Sequence, residues 1–395
     1  MCIDETGTTT AARGQETNWA VQATPHADPL LSRVYVEPTS RCNLQCRTCI
    51  RNVWNEPTGD MSMATYLRLV DGLRAVPTLK RMSFWGYGEP LLHPHIVEMI
   101  RLAGQLGAQT DIVTNGVLLT GAMAERLIEA GLDTIVVSID GTSAEGYGEV
   151  RTGGDLQLVL DNMRELLAVR RAYPAHRLEI GLEFVATRRN IHELGNLRQL
   201  ARSVGASFVV VSNVLPHTEE MSSQTLYGLW AGTSFPDRGS SWNPQLVISR
   251  MDARPEVVEG LARLLEFNGA VGDPPGGRQG VYSYCKFVCE GSIVVGWDGG
   301  LSPCVALMHS YPCYIMGRKK DIKRYTLGNV NQEDVTDVWQ KEEFRRFRKL
   351  VQEFDFPPCT TCACELAESN EEDCYGNTFP VCGDCLWAKG VLQCP

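Results

Sequence analysis

The cysteines divide this chain. Of fifteen in 395 residues, Cys2 stands alone, three fall at Cys42, Cys46 and Cys49, and the other eleven lie from Cys285 onward, with none between Cys49 and Cys285. Two groups of thiols flanking a long cysteine-free body predict two functional regions in one chain. The first residues carry no apolar core of a signal peptide, so the thiols read as metal or cluster ligands and not as a secreted disulfide framework.

The first group follows a β-branched and aromatic run, Val34-Tyr35-Val36, and sits in Glu37-Pro38-Thr39-Ser40-Arg41-Cys42-Asn43-Leu44-Gln45-Cys46-Arg47-Thr48-Cys49. A strand ending in this loop holds three thiols at one end of a sheet. Three thiolates suit a cubane cluster with one iron open to a small molecule, whereas a structural zinc needs four ligands. Short apolar strands are predicted at residues 33–37, 81–85, 109–114, 134–139, 179–186 and 207–212. Amphipathic helices are predicted at 95–106, 121–130, 156–171 and 191–204. Six such units make an α/β chain with a parallel sheet, a partial (β/α)6 TIM-like barrel.

Sites in such sheets lie beyond the carboxyl ends of the strands. After the second strand comes Gly86-Tyr87-Gly88-Glu89-Pro90, whose glycines let backbone approach a ligand while Glu89 places a carboxylate beside it. Thr114-Asn115-Gly116 follows the third strand and Ser138-Ile139-Asp140-Gly141 ends the fourth, each also a common turn or cap sequence. Glu183 on the fifth strand faces either the barrel interior or an edge.

The organisation expected is a mobile tail over 1–30, a core over 31–215, a connecting region over 216–280 and a small cysteine-rich domain over 281–395. The net charge of −10 argues against nucleic acid and against an anionic membrane surface as partners. No apolar run reaches the length of a spanning helix, and a cytoplasmic protein is expected.

The C-x3-C-x2-C spacing after a first strand resembles the radical S-adenosylmethionine (SAM) superfamily, although Thr48 stands where that family usually has an aromatic residue. The resemblance implies a [4Fe–4S] cluster on Cys42, Cys46 and Cys49 that binds SAM at its open iron. Its electron, from a ferredoxin- or flavodoxin-like reductant, releases a 5′-deoxyadenosyl radical. It also implies that Gly86, Gly88 and Glu89 contact the SAM amino group, and that Asn115, Ser138 and Asp140 reach its ribose and methionine parts. Arg151 either steadies the SAM carboxylate or serves the surface.

Cys285, Gly299 and Cys304, then Thr326-Leu327-Gly328-Asn329-Val330, resemble the SPASM extension of such enzymes. That likeness implies two auxiliary [4Fe–4S] clusters. By family order Cys285, Cys289, Cys304 and Cys385 would hold the inner one, and Cys359, Cys362, Cys382 and Cys394 the outer one. Cys364 and Cys374 interrupt the usual spacing and are possible substitutes; Cys313 has no place in it. The last residues, Asn377 to Pro395, with Cys46 to Trp54, look like the maturases of tungsten-containing aldehyde oxidoreductases. The expected target is therefore a tungsten-pterin cofactor or the oxidoreductase polypeptide. A maturase of a ribosomally made peptide is the alternative. A sulfatase-type maturase is disfavoured because Val305 replaces the Asp expected after Cys304. A pure electron carrier has no use for an open-iron motif.

Overall fold

The computed structural model describes residues 27–228, 233–236, 245–265, 283–362 and 364–393. Six parallel strands appear where the apolar runs lie: β1 (Arg33–Val36), β2 (Arg81–Phe84), β3 (Gln109–Thr114), β4 (Thr134–Ser138), β5 (Glu179–Ala186) and β6 (Phe208–Asn213). The strands are short and mostly buried along their length, as strands covered on both faces must be.

The sheet runs past this core at both edges. β7 (Thr233–Pro236) and β8 (Gln245–Met251) come from the stretch expected only to connect. β8 pairs parallel to β6, and β7 pairs antiparallel to β8. Leu246, Ile248 and Met251 of β8 are buried, and the helix Pro255–Leu265 follows. At the other edge β9 (Ser292–Val295) pairs parallel to β1, with Arg33 opposite Ser292. β10 (Gly300–Ser302) turns back on β9 through a hairpin at Asp298-Gly299, and Gly299 takes φ +85° there. The hairpin β11 (Tyr311–Ile315) and β12 (Arg318–Ile322) stands apart from the main sheet, and β13 (Gly328–Asn329) pairs with β10. The order is β13-β10-β9-β1-β2-β3-β4-β5-β6-β8-β7, so the cysteine-rich region continues the core sheet.

Helices link successive strands and bury one stripe each. In Met63–Leu73 that stripe includes Tyr66, Leu69, Val70 and Leu73, at helical spacing, and the Ser62 hydroxyl caps the start by accepting from Thr65 N. Helix Glu342–Glu353 buries Phe344, Phe347 and Val351. Its Arg348 is fully buried and reaches Asp28 with Nε at 2.6 Å and Nη2 at 2.5 Å, between the rings of Trp339 and Phe344. The end of the stretch read as a mobile tail is therefore anchored at Asp28. Residues 1–26 of it lie outside the described residues, as do Cys2, Cys394, Trp230, Trp242 and 273–277.

Candidate active site at the carboxyl ends of the strands

The loop after β1 is tied across the barrel mouth. Gln45 N donates to Thr152 O (3.1 Å) and Arg47 N to Val150 O (2.8 Å), while Cys49 N closes a turn onto Cys46 O (3.1 Å). Cys42, Cys46 and Cys49 then line one cavity of about 260 Å³, with Trp85, Gly86, Gly88, Glu89, Asn115, Ser138, Arg151 and Glu183. Of the residues expected around this centre, only Asp140 stands behind the wall.

The glycines owe their identity to the protein itself. A Cβ on Gly86 would lie 2.6 Å from the Glu37 side chain, and one on Gly88 would collide with Thr39 O and approach Arg41 O to 2.7 Å. Both are needed so that the segment after β2 can pass beneath the thiol loop. Glu89 N donates to Arg41 O at 2.7 Å in the same crossing.

Glu89 is 2% exposed, and its carboxylate is already surrounded. Oε1 accepts from Leu91 N (3.0 Å) and Thr114 Oγ1 (2.7 Å), and Oε2 accepts from Asn115 N (2.7 Å). Burial raises its pKa against the pull of these three donors. The side chain joins the loops after β2 and β3. Asn115 carries the connection onward, its Nδ2 donating to Asn43 Oδ1 at 2.8 Å and lying 3.7 Å from Cys42 Sγ.

Arg151 and Asp140 form a buried pair, Nη2 to Oδ2 at 3.0 Å, and Asp140 Oδ1 also accepts from Val185 N at 2.8 Å. Arg151 Nε is buried with no hydrogen-bond partner among the described residues. Burial opposes the guanidinium charge, but Asp140 outweighs it and raises the pKa. Burial pushes Cys46 up to about 11, and Arg151 pulls the other way. Glu183 takes a hydrogen bond from Ser138 Oγ (3.3 Å) and is pushed up to about 7 by burial and by Asp140.

In the second region Cys285, Cys304, Cys382 and Cys385 line a common cavity with Phe287, Phe347, Val351, Phe354 and Trp387. Cys382, expected in the outer set, thus lines the same cavity as Cys285, Cys304 and Cys385. Cys289, expected in the inner set, is held in a disulfide. Cys359 is buried one loop away: a Cβ on Gly383 would lie 3.3 Å from its Sγ. Charge on Cys374 acts on the Cys359 thiol, and Cys362 and Cys364 flank the same loop. Trp387 lines both the four-thiol cavity and the first cavity, and Val305, next to Cys304, also faces the first. The two sites thus share a wall.

The radical SAM superfamily profile matches residues 36–172, and the SPASM iron–sulfur cluster-binding domain matches residues 285–365. A tungsten-containing aldehyde ferredoxin oxidoreductase cofactor-modifying protein of Pyrococcus furiosus is 31% identical over 370 residues, covering 92% of this chain and 96% of that one. The chain belongs to the radical SAM superfamily. A PqqA peptide cyclase of Granulibacter bethesdensis is 34% identical over 179 residues, 45% of this chain and 46% of that one. Among solved structures, Streptococcus suis SuiB bound to S-adenosylmethionine has the same fold, with a TM-score of 0.56 and 16% identity over 88% of this chain and 73% of that one.

As a radical SAM enzyme with a SPASM domain, the chain requires a [4Fe–4S] cluster, SAM and auxiliary iron–sulfur centres. The donor set fits. Three thiols open into a cavity beside a buried guanidinium nitrogen that has no partner among the described residues, as a cluster with one free iron and a carboxylate-bearing ligand would need. Four more thiols line a second, mostly apolar cavity. Among the described residues no three His, Cys, Asp or Glu side chains converge on a single-ion position. No described helix is long and apolar enough to cross a membrane.

One constellation at this site carried no sequence signal. His309 is 2% exposed; its Nε2 donates to Glu37 Oε2 (2.9 Å) and its Nδ1 to Glu56 Oε2 (2.5 Å). Glu37 also accepts from Tyr87 N (3.1 Å), and the rings of Trp54 and Tyr87 lie 4.3 and 5.7 Å from the imidazole. Burial disfavours the charged ring, but the two carboxylates prevail and raise its pKa to about 9. The radical SAM loops and the SPASM region meet on this imidazolium.

Proposed function

We propose that this enzyme cleaves SAM reductively and uses the resulting radical to modify the pterin cofactor or the polypeptide of a tungsten-containing oxidoreductase. The observation that carries the reading is the joint lining of one cavity by Cys42, Cys46, Cys49 and Arg151, in a chain alike to a cofactor-modifying protein over nearly its whole length. The cluster, when bound, supplies the electron that opens a carbon–sulfur bond of SAM.

The protein's own part is orientation and exclusion of water. Arg151, fixed by Asp140, offers Nε to the SAM carboxylate. The Gly86–Gly88 segment presents backbone to the SAM amino group, with Glu89 bracing that segment in place of touching the ligand. Asn115 and Ser138 face the same cavity and take the remaining polar groups of SAM. Trp85, Trp387 and Leu392 keep its outer part apolar.

For the SPASM region we assign Cys285, Cys304, Cys382 and Cys385 to the inner auxiliary cluster, because they share a cavity. Cys359, Cys362 and Cys374, with Cys364 or Cys394, are assigned to the outer one. Cys289 joins the inner set only if its disulfide is reduced. The enzyme acts in the cytoplasm, with a ferredoxin- or flavodoxin-like protein as donor.

The test is anaerobic reconstitution with iron, sulfide, SAM and a low-potential reductant. 5′-Deoxyadenosine release is measured beside mass changes in the oxidoreductase, its isolated pterin cofactor and candidate precursor peptides. Product on the oxidoreductase or its cofactor supports the reading. Product on a peptide alone favours the second reading, for which the likeness to a peptide cyclase speaks. No 5′-deoxyadenosine from fully loaded enzyme would overturn both.

A further inference from the structure

The β11–β12 hairpin carries a buried lysine into the SPASM region. Cross-strand pairing sets Lys320 opposite Cys313, and Lys320 is only 2% exposed. Its Nζ donates to Asp384 Oδ1 at 2.7 Å, while Arg318 Nη2 donates to Asp384 Oδ2 at 2.9 Å and to Cys359 O at 3.2 Å. Asp384 lies inside Cys382-Gly383-Asp384-Cys385, and Gly383 packs on Cys359. The ionic triad therefore sits on the seam between the four-thiol cavity and the Cys359 loop. Lys320 lines a further cavity with Cys304, Cys382, Asp384 and Cys385, and Arg318 lies against the backbone of Cys359.

Two cations here share one carboxylate, and Arg318 Nη1 is buried with no hydrogen-bond partner among the described residues. Asp373, Asp321 and Glu290 add negative charge and Lys389 and Arg250 positive charge farther out, while within the buried triad itself two cations meet one carboxylate. An uncompensated buried cation is costly in a protein interior unless an anion lies beside it. Cysteine-ligated iron–sulfur clusters are such anions, and their potentials respond to nearby charge.

We propose that Lys320, with Arg318, sets the potentials of the auxiliary clusters by holding positive charge between them, with Asp384 as the opposing charge. Reduction of a cluster takes up one electron from the external donor and adds one negative charge, with no change in ligands. A cation at the seam stabilises that reduced form and raises the midpoint. The inference rests on the assignment of two auxiliary clusters made above.

The experiment is a reductive titration of the full, reconstituted chain followed by EPR, with iron content measured on each sample. Lys320→Met should move an auxiliary midpoint to more negative potential, and Lys320→Arg should restore it. Asp384→Asn, which removes the opposing charge at nearly constant shape, should move it to more positive potential. The signal of the cluster on Cys42, Cys46 and Cys49 serves as an internal reference. Opposite shifts with unchanged iron support the proposal. Shifts of the same sign, no shift, or loss of auxiliary iron in all three variants would overturn it, the last showing a purely structural triad. Wild-type protein that holds iron for the first centre alone would bring down the cluster assignment and the inference with it.

Discussion

Cys42, Cys46 and Cys49 reach their cavity from a single loop, whereas Cys285, Cys304, Cys382 and Cys385 reach theirs from segments far apart in the chain. The first set needs only β1 to end where it does and two backbone hydrogen bonds to residues 150 and 152. The second needs the β9–β10 hairpin, the helix Glu342–Glu353 and the loop from Cys382 to Ala388 to pack on one another before any ligand set exists. Local geometry makes a centre whose loss leaves the fold standing. Assembled geometry makes one whose ligands also belong to a core.

The largest expected effect follows from that contrast. Joint replacement of Cys42, Cys46 and Cys49 by Ala should abolish 5′-deoxyadenosine formation and remove about a third of roughly twelve irons, with the two auxiliary signals and the thermal midpoint kept. Loss of all iron would mean the centres are not independent. Retained SAM cleavage would refute the site outright.

Replacing single cysteines in the second region distinguishes packing from linear order. Cys382→Ser should remove the inner auxiliary signal, whereas Cys289→Ser should leave it, because Cys382 lines the cavity and Cys289 is engaged elsewhere. The reverse outcome would restore the partition that the SPASM resemblance implies. Counting irons alone does not decide this; the identity of the missing EPR signal does.

How far the molecule was legible in its sequence divides along the same line. β3 and β5 begin and end at the residues expected from their apolar runs, because strand burial writes itself into consecutive positions. β8 escaped notice: Gln245–Met251 is interrupted by Ser249 and Arg250, and only its place beside β6 makes it a strand. The cavity residues after β1 to β4 could be read because each sits at a strand end, a position set by topology. Their tasks were less visible. Whether Glu89 touches a ligand or braces a loop depends on three donors, and two of them, in Thr114 and Asn115, arrive from another strand. Nothing near His309 in the chain announces Glu37 or Glu56, since the contact joins residues more than 250 positions apart.

Glu89→Ala should cost stability as well as SAM affinity, unlike loss of a ligand contact alone. Leu91 N, Thr114 Oγ1 and Asn115 N would lose their acceptor in a buried place, a cost of about 3 kcal/mol in total allowing for relaxation. Calorimetry of the cluster-free chain reads this without SAM present. Weakened SAM binding at unchanged melting temperature would instead favour a direct contact to the ligand and sink the bracing role.

An effect of similar size on stability, but confined to the seam between the regions and to one range of pH, belongs to His309. Its pKa stands near 9 in the folded chain against about 6.5 for an unperturbed histidine, so the folded state holds the proton more tightly than the unfolded one. A raised folded value gives stability that is complete below about pH 6.5 and is lost as pH climbs through 9. Its full size is on the order of 3 kcal/mol. His309→Gln keeps a hydrogen-bonding side chain but cannot bear the charge that Glu37 and Glu56 surround. The difference in melting temperature between wild type and this variant should therefore be widest near pH 6 and shrink towards pH 9.5. In alkali the clamp loosens at Tyr87, which shares Glu37, and at Ser310, which donates to Glu56 at 2.7 Å. Since Tyr87 precedes Gly88 in the SAM loop, SAM affinity should decline over the same interval in wild type and stay flat in the variant. A difference that does not change with pH would show that the imidazole serves only by its shape.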